Sequence, residues 1–113
     1  MTLNTMTFDQ ISAIIKMRQA ALDAYDACLG GKPNDDWTRL DHCMETEFHM
    51  LWDYWNDRLG AAIPACTAGV DALMQVFRQD SSYYAPNEFQ VVLLTNAMEG
   101  LRRLTSEKEK KAA

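Results

Sequence analysis

The feature that most constrains the fold of this chain is a run of apolar residues at helical spacing near its N-terminus. Phe8, Ile15, Leu22 and Leu29 recur every seven positions. Because an α-helix has about 3.6 residues per turn, this spacing places all four on one face. The pattern predicts an amphipathic helix over residues 8–29.

Both ends of this helix carry sequence signals. Thr7 and Gln10 have the spacing of a capping box, and Gly30 with Gly31 supplies a stop. Arg18 interrupts the apolar face. We favour packing of its aliphatic stem with the guanidinium reaching water over a role in anion binding.

A second apolar face predicts a helix over residues 35–59, starting at Asn34 or Asp35 and ending at Gly60. More than half of its circumference is apolar or aromatic, so we expect it to be the central helix of the fold. Its predicted core face consists of Trp37, Leu40, Met44, Phe48, Leu51, Trp55 and Leu59.

The rest of the chain predicts two further helices. Pro64 suits the first turn of a helix over residues 64–80, and Asn87 has cap spacing for a helix over 87–105. Residues 106–113 contain no apolar side chain larger than alanine, which predicts a frayed, solvated, basic tail. No segment alternates as a strand does, so we expect no sheet.

Length and composition set the fold class. The chain has 113 residues, of which 48% are hydrophobic and 24% charged, as in an ordinary globular domain. Four helices with short connections predict a compact all-α bundle in a single domain over residues 1–113. The sequence shows neither a membrane-spanning stretch nor a secretory signal. We therefore expect a cytoplasmic protein that does not contact a membrane.

The three cysteines match neither a redox or zinc motif nor an even disulfide framework. Cys28, Cys43 and Cys66 are separated by 15 and 23 positions. Each has apolar neighbours in the sequence, so we expect reduced thiols that pack as small hydrophobic side chains.

The charge distribution bears on the kind of partner. Residues 1–101 carry 14 acidic and 6 basic side chains, net −8, and residues 102–113 carry 2 acidic and 5 basic, net +3. Because Lys and Arg supply most of the affinity for phosphates, the acidic body disfavours nucleic acid and favours a partner with a basic surface. Nucleic-acid binding would have to use Arg102, Arg103, Lys108, Lys110 and Lys111.

No motif for acyl, phosphoryl or dinucleotide chemistry is present, so we expect neither catalysis nor a cofactor. The most distinctive local feature is a polar stripe on the second predicted helix. We expect this stripe to contact another protein, with a tryptophan at its border as an aromatic anchor. The predicted contact face consists of Glu45, His49, Trp52, Asp53 and Asn56.

The alternative interpretation of the same stripe is a metal site formed by His42, Glu45 and His49. The two histidines are seven positions apart, or about 10.5 Å along the helix axis. One ion would therefore need ligands from another helix, and we predict no metal.

The fourth predicted helix carries more apolar surface than a small bundle needs. Val91, Leu94, Met98 and Leu101 populate one side of it. We predict that this side joins two copies in a homodimer. In the alternative, the helices wrap closely enough to make these residues internal.

Taken together, the sequence predicts a small acidic cytosolic module for protein–protein interaction, acting as an adaptor, regulator or inhibitor. Its size also fits an accessory protein of a phage or mobile element. The competing class is a metal-binding helical bundle, or a metal-dependent enzyme, using His42, Glu45 and His49.

Overall fold

In the part of the chain that the structure describes, the fold is the predicted all-α bundle of four helices, with two short strands in addition. A computed structural model describes residues 3–80 and 87–112. The elements in chain order are β1 (Asn4–Met6), α1 (Phe8–Leu29), a 3-10 turn (Asn34–Asp36), α2 (Arg39–Gly60), β2 (Ala62–Pro64), α3 (Thr67–Asp80) and α4 (Glu88–Ala112).

The predicted ends of α1 are confirmed. The Thr7 hydroxyl accepts a hydrogen bond from the Gln10 backbone N–H at 3.2 Å, and the Gln10 side-chain oxygen accepts one from the Thr7 N–H at 2.9 Å. At the other end, the Gly30 N–H donates to the Asp26 carbonyl. Gly31 follows with a φ of 76°, a conformation that favours glycine and turns the chain toward α2.

The start of α2 lies four residues later than predicted, at Arg39. Asn34 and Asp35 form the 3-10 turn instead, and Thr38 caps the helix in a capping box with Asp41. Lys32 Nζ also donates to Asp41 Oδ2 at 2.6 Å. Asp41 thus accepts both from Lys32 and from the Thr38 backbone, which fixes the start of the helix at Thr38.

The two strands contradict the expectation of no sheet. β1 and β2 pair in parallel, with Thr5 in register with Ile63, and the Ala65 N–H extends the ladder to the Met6 carbonyl at 2.9 Å. Three-residue strands are too short for an alternating pattern to reveal them. Pro64 is therefore the last residue of β2 rather than part of the first turn of α3.

Pro64 is enclosed by two glycines. A Cβ on Gly69 of α3 would lie 2.9 Å from the Pro64 Cβ, and a Cβ on Gly100 of α4 would lie 2.6 Å from its Cγ. Both helices therefore approach β2 more closely than a side chain would allow. The buried cluster around this contact consists of Met6, Ile11, Ile14, Leu59, Ala62, Val70, Leu73, Val76, Leu93 and Ala97.

α4 continues as a helix to Ala112, so the prediction of a frayed tail over residues 106–113 is wrong as far as residue 112. Glu99 accepts hydrogen bonds from Arg102 and Arg103 within the helix. Arg103 also donates to the Thr5 hydroxyl at 3.1 Å, which joins α4 to β1. Such pairs three and four residues apart stabilise a helix that packing alone does not hold.

The helices are not arranged around α2, in contrast to the prediction. α1 packs mainly on α2 and α3 mainly on α4. α2 meets α4 near its C-terminal end, where the Asn96 side chain donates to the Gly60 carbonyl at 2.8 Å. The molecule consequently measures 66 × 28 × 22 Å. We call residues 19–57, which comprise the end of α1, most of α2 and the connection between them, the distal hairpin.

Two residues of the predicted core face of α2 are on the surface. Leu40 is 66% exposed and Leu51 is 47% exposed. α2 packs mainly on α1 and otherwise on α4, and both leucines lie on a side of α2 that is open to solvent. We call the resulting exposed apolar surface the outer stripe of α2; it consists of Leu40, Met50, Leu51 and Tyr54.

Candidate functional site

The predicted contact face on α2 is divided by the structure between interior and surface. His49 and Asp53 are exposed, while Glu45, Trp52 and Asn56 are half-buried. Trp52 and Asn56 both interact with Arg18 of α1. Part of the predicted contact face is therefore turned toward α1, and the rest is open to solvent.

Arg18 of α1 contacts two residues of this face. Its Nε donates to Asn56 Oδ1, and its Cζ lies 4.2 Å from the centroid of the Trp52 ring and 5.4 Å from that of Phe89. Only 4% of the residue is exposed, so the prediction that its guanidinium reaches water is wrong. Aromatic rings from α2 and α4 cover the charged group and attract it through cation–π interactions.

Next to this cluster, α1 and α2 enclose an open apolar cleft of about 250 Å³. We call it the hairpin groove; its lining residues are Ala21, Leu22, Tyr25, Phe48, His49 and Trp52. The rings of Tyr25 and Phe48 meet edge to face with centroids 6.2 Å apart, and Tyr25 contacts His49 in the same way at 5.7 Å.

The α1 side of the groove was not identified from the sequence. Leu22 belongs to the apolar pattern that predicts α1 and Tyr25 lies on the same helix, but the sequence assigns a contact role to neither. The available signal is that this pattern continues for about three turns beyond Arg18, to Leu29.

A contact between a histidine and a carboxylate lies beside the groove. His49 Nε2 is 3.5 Å from Glu45 Oε1, one helical turn away, and the His49 side chain is 59% exposed. Asp53 follows Trp52 on the same side of α2 and is exposed. Of the predicted residues, His49 therefore lines the groove, Glu45 lies one helical turn from it, and Asp53 directly follows the lining residue Trp52.

The charge of this region is strongly negative. The distal hairpin contains nine acidic and two basic side chains, net −7, whereas the rest of the chain contains seven acidic and nine basic, net +2. One of the two basic residues, Lys32, is paired with Asp41. The hydrogen bond from Lys32 is the main cause that lowers the pKa of Asp41 from its usual value of 3.8, and the hydrogen bonds from Thr38 lower it further.

The alternative metal site is not assembled in the structure. Glu45 and His49 are together, but the His42 ring packs edge to face against Trp37 with centroids 5.1 Å apart. Among residues 3–80 and 87–112, no group of three His, Cys, Asp or Glu side chains is arranged to hold a metal ion.

The thiols are more accessible than expected. Cys28 and Cys43 are exposed and Cys66 is half-buried, and none is in a disulfide. Cys28 and Cys43 lie on the distal hairpin, which lacks a covering helix, so the expectation that they pack as small hydrophobic side chains is wrong.

The residues predicted to join two copies lie on the outside of α4. Val91, Met98 and Leu101 are exposed, at 51%, 61% and 46% respectively, and Leu94 is half-buried. The alternative that all four are internal is therefore wrong for three of them. We call these four residues the α4 stripe.

Two of the basic residues of α4 are paired with a carboxylate of the same helix. Arg102 and Arg103 both pair with Glu99, at 2.6 and 3.0 Å. Lys108 is exposed. The predicted side-chain roles of Lys110 and Lys111 lie outside the described part of the structure.

Within residues 3–80 and 87–112, none of the helices combines the length and the apolar character that crossing a bilayer requires. Comparison with known protein families, with curated proteins and with solved structures finds no match to this chain.

Proposed function

We propose that this chain is a small protein-interaction module without catalysis of its own, and that its hairpin groove binds a segment of another protein. The segment presents one apolar anchor side chain flanked by lysine or arginine. The observation that carries this proposal is an open aromatic groove on a hairpin with a net charge of −7.

The size of the groove favours a side chain over a small molecule. Its volume is about 250 Å³, whereas pockets for cofactors and drug-sized ligands span roughly 300–1,000 Å³. Tyr25, Phe48 and Trp52 provide apolar walls that suit one large aliphatic or aromatic side chain. Buried anchors of this kind contribute most of the affinity at many protein interfaces.

The edge of the groove supplies the preference for basic neighbours. Glu45, Asp53 and Asp26 lie next to lining residues, and Asp53 and Asp26 are exposed. Exposed carboxylates attract a cationic segment over several ångströms and speed its association, and salt weakens this attraction. Binding should therefore weaken as ionic strength rises.

The Arg18 cluster supports the proposal because it fixes one wall of the groove. The Arg18 guanidinium stacks on the ring of Trp52, and the Asn56 side-chain oxygen accepts a hydrogen bond from the same guanidinium. A wall that is ordered before the partner arrives reduces the entropy lost on binding.

The same proposal includes a cytoplasmic location. Cys28, Cys43 and Cys66 are free thiols, and two of them are exposed. Free exposed thiols suit a reducing compartment.

The proposal is tested by selecting a random peptide library against the purified protein. We expect enriched peptides to share an aromatic or large aliphatic residue next to Lys or Arg. Their affinity should fall by about tenfold or more for the Glu45→Lys/Asp53→Lys variant, because two attractive charges become repulsive.

The matched control is the Asp71→Lys/Glu107→Lys variant, which makes the same change in net charge at exposed residues outside the distal hairpin. It should retain affinity to within about twofold. Circular dichroism of all three proteins verifies the fold. Enriched peptides without basic residues, or equal losses in both variants, would overturn the proposal.

A further inference from the structure

The α4 stripe is an exposed apolar surface on another part of the molecule than the hairpin groove. We propose that α4 pairs with α4 of a second copy of this chain in an antiparallel, two-fold dimer, in which Val91 of one copy lies opposite Leu101 of the other. This interface is separate from the hairpin groove and does not depend on what the groove binds.

The stripe is available for such a contact. The inner face of α4 packs against the core, where Leu93 and Ala97 are buried. On the same face, the Asn96 side chain donates a hydrogen bond to the Gly60 carbonyl of α2. Val91, Met98 and Leu101 lie beside this face and are exposed. A contiguous apolar stripe left on a soluble helix is a characteristic of interaction surfaces.

The spacing of the stripe is symmetric under reversal of the chain. The intervals from Val91 to Leu94, to Met98 and to Leu101 are three, four and three residues. An antiparallel copy therefore places Val91 opposite Leu101 and Leu94 opposite Met98, so that each apolar residue meets another. A two-fold interface requires this kind of self-complementarity.

The charges along one edge of the stripe also complement each other. Glu88, Thr95 and Arg102 recur every seven residues along this edge. In an antiparallel pair the same edges face each other across the contact. Glu88 of one copy then lies about two residues, or about 3 Å along the axis, from the level of Arg102 of the other.

Arg102 belongs to a cluster with a net positive charge. It shares Glu99 with Arg103, so that one carboxylate neutralises only one of two guanidinium groups. The Arg102 side chain is 67% exposed. Glu88 of a second copy would complete the charge balance of this cluster.

The outer stripe of α2 does not offer the same match. Its residues surround Glu47, which lies midway between Leu40 and Tyr54. An antiparallel copy would place Glu47 opposite Glu47, and like charges in direct opposition are destabilising. Of the two stripes, the α4 stripe is therefore the one suited to a second copy.

The proposed contact is small. The α4 stripe runs over eleven residues, and its ten residue steps cover about 15 Å of helix, less than the extent of a standard stable interface. We expect a reversible dimer whose fraction rises with protein concentration, detectable by sedimentation velocity over about a hundredfold concentration range.

Substitution tests the location of the interface. Val91→Glu/Leu101→Glu should abolish the concentration-dependent dimer and leave the circular dichroism spectrum unchanged. The matched control, Leu40→Glu/Met50→Glu, adds the same charges to the outer stripe of α2 and should leave the dimer unchanged. A monomer at all concentrations in the unmodified protein, or a dimer lost only in the control, would overturn the proposal.

Cross-linking tests the orientation and remains decisive if the glutamate variant fails to fold. In a background of Cys28→Ser, Cys43→Ser and Cys66→Ala, chains with Val91→Cys and chains with Leu101→Cys are mixed and oxidised. We expect disulfides between the two kinds of chain only, because Val91 of one copy lies about 15 Å from Val91 of the other. Disulfides between two Val91→Cys chains would show a parallel pair and overturn the proposal.

Discussion

The guanidinium carbon of Arg18 lies 4.2 Å from the centre of the Trp52 ring. This contact joins α1 to α2 at the point where the distal hairpin leaves the core. Phe89 of α4 approaches the same guanidinium at 5.4 Å, so a single charged side chain links three helices. It also determines the position of a wall of the hairpin groove.

Replacement of Arg18 by alanine should destabilise the protein by about 2–4 kcal/mol, because it removes a buried cation together with its hydrogen bond and its ring contacts. Urea unfolding followed by tryptophan fluorescence measures the change. Lys16→Ala is the control: Lys16 is exposed on the same helix and its loss should cost no more than about 0.5 kcal/mol. Equal effects of the two substitutions would contradict the structural role of Arg18.

Alanine should destabilise the protein at one glycine and not at another. At Gly100 the added methyl would lie 2.6 Å from Pro64 Cγ and 2.9 Å from its carbonyl oxygen. Such overpacking costs about 1–3 kcal/mol. At Gly60 the nearest atom is Val92 Cγ1 at 3.6 Å, and alanine should be neutral or stabilise by up to about 1 kcal/mol.

Thermal unfolding of both glycine variants under identical conditions checks this prediction. If Gly100→Ala unfolds at the same temperature as the unmodified protein, α4 does not pack against β2 as closely as the structure indicates.

Acid should weaken α4 through Glu99. Hydrogen bonds from Arg102 and then Arg103 lower the pKa of Glu99 from 4.5 to about 2. A carboxyl group with a lowered pKa in the folded state contributes its full stabilisation above the unfolded value and loses it as the pH falls through the folded value. The contribution of Glu99 should therefore be complete above pH 4.5 and decline toward pH 2.

The difference in unfolding free energy between the unmodified protein and Glu99→Gln isolates this contribution from other titrating groups. It should be constant above pH 4.5 and shrink toward pH 2. Asp41→Asn gives a second comparison, because the pKa of Asp41 is also lowered, chiefly by Lys32. A difference for Glu99→Gln that does not change with pH would exclude the pairing with Arg102.

The cysteines should react at two distinct rates. Cys28 and Cys43 are exposed and Cys66 is half-buried, so a thiol reagent should modify the first two rapidly and the third slowly under native conditions. Mass spectrometry of the digested protein assigns each modification. Rapid reaction of all three would indicate that the segment between β2 and α3 opens readily, and slow reaction of Cys28 and Cys43 would indicate that the distal hairpin is covered.

Local sequence signals predict the helices well where one signal is dominant. The capping box of Thr7 and Gln10 predicts the start of α1, and the spacing of Asn87 and Gln90 predicts that of α4, where each backbone N–H donates to the other side chain. The start of α2 is ambiguous because Asn34 and Thr38 are both good caps. The capping box of Thr38 with Asp41 and the bond from Lys32 to Asp41, which needs the folded turn, favour Thr38.

The candidate site is less predictable because it depends on which helices are neighbours. Spacing places Glu45, His49 and Asp53 on one side of α2, and the structure confirms this. It does not reveal that Arg18 and Tyr25 of α1 face the same side. Likewise, Leu40 resembles a core residue by its spacing, but it is exposed in the structure, because α2 packs mainly on α1 alone.

The pairing of β1 with β2 holds together the two ends of the segment between them. The chain leaves the strand pair after Met6 and returns to it at Ala62, so α1 and α2 begin and end next to the same pair of strands. Adding or removing whole helical turns in α1 and α2 together would change the length of this segment without moving its base. The length of the distal hairpin is thus independent of the strand pair that holds its base.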